Sequence, residues 1–204
     1  MKRILIASAV VLLGLTQAAA AQPLPSIPAD AQMCQQGTNV YVNDGRSRVE
    51  MRSIVAQTRT AARAMGFGGV GQYAVLPGAT AMYRMPTRTP TFYVAAPSNI
   101  QPQGLITLAS FETRRNGTRE VLIGGGYYSY SSGIAPQRVI QTTMRQAASQ
   151  AGAGAGMTLY EITPAAPLPP GEYALVVSVA AASQNQGMMA GATGMGLFYD
   201  FGID

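Results

Sequence analysis

Carboxylates and arginines are the side chains left to do chemistry in this sequence. It has no histidine, and its one lysine is Lys2. That removes Ser-His and Cys-His nucleophile pairs together with the commonest metal ligand. Cleavage of an N-terminal leader takes Lys2 with it, and Schiff-base and Ser-Lys schemes go too. The single cysteine, Cys34, has no imidazole to activate its thiol. Nine carboxylates remain. A glycosidase needs two of them facing one cleft, but Glu112, Glu120 and Glu172 read as edge or turn residues. Asp200 reads as a solvent-facing position on an alternating strand. No catalytic residue is assigned. Calcium would need carboxylates at short loop spacing, which the chain lacks. Met82 with Met85, and Met188, Met189 and Met195, could offer thioethers to Cu(I), but methionine at loose spacing is more often core filler. No metal site and no cofactor is assigned.

Two stretches suit recognition better than catalysis. Arg114, Arg115 and Arg119 gather around the turn Arg114-Arg115-Asn116-Gly117, balanced in part by Glu112 and Glu120. They read either as a solvated hairpin end or as an anion-recognition patch. Tyr127, Tyr128 and Tyr130, interleaved with Ser129, Ser131 and Ser132, follow three glycines that break the strand before them. Tyrosine and serine on a loop form adaptable contact surfaces; the competing reading has the rings alternating between core and edge. The run GFGGVG at 66–71 fits G-x-G-x-x-G in form, yet a helix is expected before it and a strand after it. A dinucleotide fingerprint needs the reverse order, so this is a loop.

The elements that must position these residues are mostly strands. A strand to about Val42 turns at Asn43-Asp44-Gly45, and Val49 and Met51 continue the alternation as a plausible hairpin. Met51, Ile54, Val55, Thr58, Ala62 and Met65 recur at helical spacing and predict a segment that becomes helical before Met65. Strands follow at Tyr73–Leu76, Thr91–Ala95, Leu105–Phe111, Arg119–Ile123 and Met157–Ile162, with a Pro-Gly corner at Pro77-Gly78. Pro136 to Gln150 is the best helix, with Val139, Ile140, Thr143, Met144, Ala147 and Ala148 as its stripe. Pro170-Gly171 predicts a type II corner, which launches a half-buried strand with Tyr173, Leu175 and Val177 on one face and Ala174 and Val176 on the other. That strand is expected near a final strand, Leu197 to Phe201. The fold class is mainly β: a small β-sandwich or rolled antiparallel sheet with one or two short helices. An outer-membrane barrel would need longer alternating strands and an aromatic girdle.

The N-terminus indicates export. Lys2 and Arg3 precede an apolar run from Ile4 to Leu15, and Ala19-Ala20-Ala21 supplies small residues for cleavage. This is the pattern of a secretory signal over 1–21, too short to span a bilayer comfortably. Residues 22–36, rich in Pro, Ala and Gln, read as a linker, and 37–204 as a single β-rich domain with a Gly/Met-rich loop at 183–196. The chain is only 11% charged and carries no basic stripe, so nucleic acid is not an expected partner. No transmembrane segment is expected after cleavage, and the protein is placed in the periplasm or at the cell surface. At PLPPGEYAL (Pro167 to Leu175) with FYDFGID, and upstream at LPGATAMYR and PTFYVAAP, the chain resembles small exported bacterial proteins without a known activity. The resemblance implies a β-rich fold and export, and assigns no functional residue. The expected function is a non-enzymatic envelope protein that binds a protein or envelope polymer; the alternative is a carboxylate-dependent hydrolase of a cell-wall or surface glycan.

Overall fold

The computed structural model describes residues 39–62, 69–126, 131–151, 153–178 and 196–204. Among them the chain is mainly β and has no α-helix. In chain order the strands are Val40–Asn43 (β1), Arg48–Met51 (β2), Gln57–Ala62 (β3), Val70–Pro77 (β4), Arg84–Met85 (β5), Thr91–Pro97 (β6) and Ile106–Thr113 (β7). Then come Thr118–Gly126 (β8), Ser131–Ser132 (β9), Val139–Ile140 (β10), Thr142–Gln146 (β11), Met157–Pro164 (β12), Gly171–Val177 (β13) and Leu197–Ile203 (β14). They form a five-stranded sheet in the order β11-β12-β6-β1-β2 and a nine-stranded sheet following β3-β4-β8-β7-β13-β14-β5, with β10 beside β7 and β9 beside β8.

Turn chemistry sets the first hairpin. Asp44 Oδ1 accepts the backbone N–H groups of Arg46 and Ser47 at 2.9 and 2.8 Å, and Gly45 supplies a φ of 88°. That fixes Val42 opposite Val49 and puts Val40 and Val42 inward. The sandwich interior lies between the sheets, where Val40, Val42, Phe92, Val94 and Ile162 meet Ile106, Leu108, Tyr173, Leu175 and Phe201. Phe92 and Phe201 hold ring centroids 5.4 Å apart, and Tyr173 stacks on Phe201 at 5.6 Å.

A second core lies on the other face of β13. Ala174 and Val176 pack there with Ala109, Phe111 and Phe198 from neighbouring strands and with Leu76, Val121 and Ile123 from β4 and β8. The large sheet therefore folds over itself, and a bulge between Gln72 and Tyr73 falls in the folded-over half. β13 keeps the predicted face alternation but is buried on both sides rather than on one. Its pairing with β14 runs from Gly171 opposite Ile203 to Val177 opposite Leu197, as expected of neighbouring strands.

Four local expectations are corrected. Pro136–Arg138 is a single 3₁₀ turn, closed by the Arg138 N–H on the Ala135 carbonyl at 2.8 Å, and the chain continues as β10 and β11 rather than as a helix. Val139, Ile140, Thr142 and Thr143 are β-branched and suit a pleated surface. The segment expected to turn helical before Met65 is extended as β3 over Gln57–Ala62, paired along β4. Gly124, Gly125 and Gly126 do not break the ladder: β8 runs through them, opposite Gln72, Gly71 and Val70. Gly171 has a φ of 159°, close to extended, and opens β13 directly. The second corner of a type II turn sits near +80°, a value met instead at Gly78, with φ 79°. Among the described residues no helix is long and apolar enough to cross a membrane.

Candidate functional site: an arginine cleft at a hairpin tip

The β7–β8 hairpin carries the charges that the sequence singles out. Its tip closes through the Arg114 N–H on the Thr118 carbonyl at 2.8 Å and the Gly117 N–H on the Arg114 carbonyl at 3.0 Å, with Gly117 at φ 76°. Asn116 Oδ1 accepts the Thr118 hydroxyl at 2.8 Å and its backbone N–H at 3.2 Å, so the turn is braced from within. Just behind the tip, Glu112 and Glu120 are direct cross-strand partners and share a face.

That face is an open cleft of about 640 Å³ lined by Arg59, Glu112, Thr113, Arg114, Arg115, Asn116 and Glu120. Arg59 holds Glu120 with two parallel bonds, Nε to Oε1 at 3.2 Å and Nη2 to Oε2 at 2.6 Å. Its guanidinium also lies 4.8 Å from the centre of the Tyr73 ring. Arg114 bridges the two carboxylates, donating from Nε to Glu120 at 3.2 Å and from Nη1 to Glu112 at 3.0 Å. Arg138 closes on Glu112 Oε2 at 2.9 Å from the 3₁₀ turn. Arg115 is exposed and has no ion-pair partner among the described residues. Four guanidinium groups thus surround two carboxylates. Burial pushes the Glu120 carboxyl up, but the Arg59 bond and charge together with Arg114 outweigh it and hold the group below its ordinary range.

Arg119 is not part of this cleft, which corrects its grouping with Arg114 and Arg115. Successive residues on a strand face opposite ways: Glu120 enters the cleft and Arg119 points into the second core. There its side chain is 2% exposed. It donates from Nη1 to Asp200 Oδ2 at 2.6 Å, and from Nη2 and Nε to the carbonyls of Pro77 and Gly78 at 2.9 and 3.1 Å. Nη1 also lies 3.6 Å from Glu172 Oε2. Glu172 in turn accepts the Ala81 N–H at 2.7 Å and Arg84 Nη1 at 2.6 Å, and Arg84 reaches on to Asp204.

Glu172 and Glu120 are therefore buried, Asp200 is only 10% exposed, and all three are paired with arginine, not the edge, turn and solvent-facing positions expected of them. Tyr127, Tyr128 and Tyr130 lie outside the described residues. The tip and Gly126, the residue before Tyr127, stand at opposite ends of the nine-residue β8, roughly 25 Å apart at strand rise. Sequence reasoning missed Arg59 and Arg138. Reading Gln57–Ala62 as a strand would have set Arg59 on one face with Gln57 and Ala61; nothing local marks Arg138. Among the described residues no group of three or more potential ligands could hold a metal ion. Compared with protein-family models, curated proteins and solved structures, the chain matches none of them.

Proposed function

We propose that this is an exported, non-enzymatic envelope protein that works as a binding module and meets an acidic group of a partner protein or envelope polymer at the hairpin-tip cleft. The observation that carries this reading is a charge imbalance: Arg59, Arg114 and Arg115 line the cleft and Arg138 pairs with Glu112 beside it, against Glu112 and Glu120 alone, and exposed Arg115 has no ion-pair partner among the described residues. The secretory pattern at the N-terminus supports export, and the lack of histidine supports binding over nucleophilic chemistry.

The glycan hydrolase remains a second reading because Glu112 and Glu120 do share one cleft. Such an enzyme needs one carboxyl kept protonated as the acid. Glu120 is instead held ionised, and both groups are occupied by arginine donors. That weighs against catalysis here.

Capture from a cell-envelope extract tests the proposal. The native protein, an Arg115→Glu variant and a Tyr127, Tyr128 and Tyr130 triple alanine variant are compared as baits. Charge reversal at Arg115 is expected to deplete the captured material severalfold. An unchanged profile for Arg115→Glu would remove the cleft as the contact surface, and loss confined to the tyrosine variant would move the contact to the other end of β8.

A further inference from the structure

The cleft's charge and donor count name a ligand class. We infer that the group it takes is a phosphate monoester, a conclusion that rests on the binding-module reading above. The first ground is charge. The cluster's four arginines exceed its two glutamates by two positive charges. A phosphate monoester carries about −1.5 to −2 at neutral pH, whereas a carboxylate carries one charge and one arginine fork satisfies it.

The second ground is how the donors are held. Glu120 fixes Arg59 through Nε and Nη2, leaving Arg59 Nη1 without a hydrogen-bond partner among the described residues. Glu112 and Glu120 fix Arg114 through Nη1 and Nε, and Nη2 likewise has no partner among the described residues. The two glutamates act as positioning residues, holding both guanidiniums in the lining of the cleft. Arg115, exposed and unpaired among the described residues, adds a whole fork. Donors from three separate guanidiniums suit an acceptor with three oxygens better than one with two. Because Arg59 and Arg114 are already ordered, binding loses less side-chain freedom than it would with free surface arginines.

The experiment is a calorimetric titration of the purified full chain with glycerol phosphate and with acetate, repeated for Arg115→Gln and for Arg52→Gln. Arg52 is exposed and lies outside the cleft, so its variant is the control for general charge. Saturable binding of glycerol phosphate, weakened about tenfold or more by Arg115→Gln and unchanged by Arg52→Gln, supports the inference. Flotation with vesicles containing phosphatidic acid separates the sources: flotation without affinity for glycerol phosphate assigns the phosphate to a lipid headgroup. Equal affinity for acetate and glycerol phosphate overturns the phosphate class. So does retention on polygalacturonate with neither small anion nor vesicle bound, an outcome that leaves an acidic polymer as the partner and the binding-module reading standing. Absence of binding to all four probes overturns both.

Discussion

Arg119 has the most at stake of any single side chain. Its guanidinium has no water to fall back on, and it answers two backbone carbonyls and two carboxylates at once. Removing one member of a buried pair costs more than the pair contributes, because the other charge is left desolvated. Arg119→Ala is expected to lower stability by about 3–5 kcal/mol in urea denaturation. Arg119→Lys should recover little, since an ammonium cannot present the planar fork. The double variant Arg119→Met with Asp200→Leu should be milder than Arg119→Ala, because Glu172 keeps Arg84 and the Ala81 N–H. A cost below 1 kcal/mol for Arg119→Ala would show that the charge cluster is not holding the β4 corner to β14. The sequence makes Arg114 and Arg115 legible, since R-R-N-G between two extended runs is a turn with charged flanks. It cannot place Arg119, because sliding the strand start by one residue exchanges Arg119 with Glu120 between the two faces. Arg59 is separated from Glu120 by 61 positions, and only the completed sheet brings them together.

At the scale of the element, strict period-two alternation marks strands correctly, whereas the two stretches with helical spacing are extended. β13 announces its two faces in its own alternation, whereas Asp200 in β14 reads as solvent-facing and is instead paired with Arg119. The stretch after Pro136 contains apolar residues that satisfy both periods, for Val139, Ile140, Thr143 and Met144 form a helical stripe while Ile140, Thr142 and Met144 alternate. Only the partners decide: Ile140 lies opposite Leu108, and Met144 opposite Ile162. The glycine run in β8 shows the same limit. Gly125 reads as a breaker, but its φ is 145° and a Cβ there would lie 2.4 Å from the Val70 carbonyl oxygen. Glycine is what lets β4 and β8 stay paired. Gly125→Ala is expected to cost at least about 2 kcal/mol, whereas Gly117→Ala, with φ 76° and open space around it, should cost about 1 kcal/mol. Thermal melts of the two variants check the ranking, and equal losses would mean that the carbonyl contact relaxes freely.

For the whole molecule, the absence of histidine shapes the response to pH. Asp44 and Glu120 are both held below their ordinary values: burial pushes each up, but backbone and Tyr83 donors at Asp44, and arginines at Glu120, outweigh it. A depressed carboxylate contributes stability above its unfolded pKa and loses it as pH falls through the folded one. Tyr83 and Tyr199 move the other way, from 10.0 to about 12, chiefly through burial. Their contribution is complete below pH 10 and is lost as pH climbs toward 12. Between these limbs the chain has no histidine, the side chain whose ordinary pKa lies closest to neutrality. The urea midpoint should therefore stay flat from roughly pH 5.5 to 9 and fall on both sides. A step near neutrality would contradict this account.

The position of β14 governs when the molecule can become itself. The strand comes last in chain order, yet it lies inside the large sheet, with β13 along one edge and with β5 and the Ile54 bridge to Phe198 on the other. It also supplies Phe201 to one core and Phe198 to the other. A nascent chain that has reached Val177 has made most of its surface-forming residues and still cannot close either core. Pairings this distant in sequence are slow to form. Closure of both cores thus waits on the pairing of β14, and a chain that lacks this one strand leaves two interiors open at once.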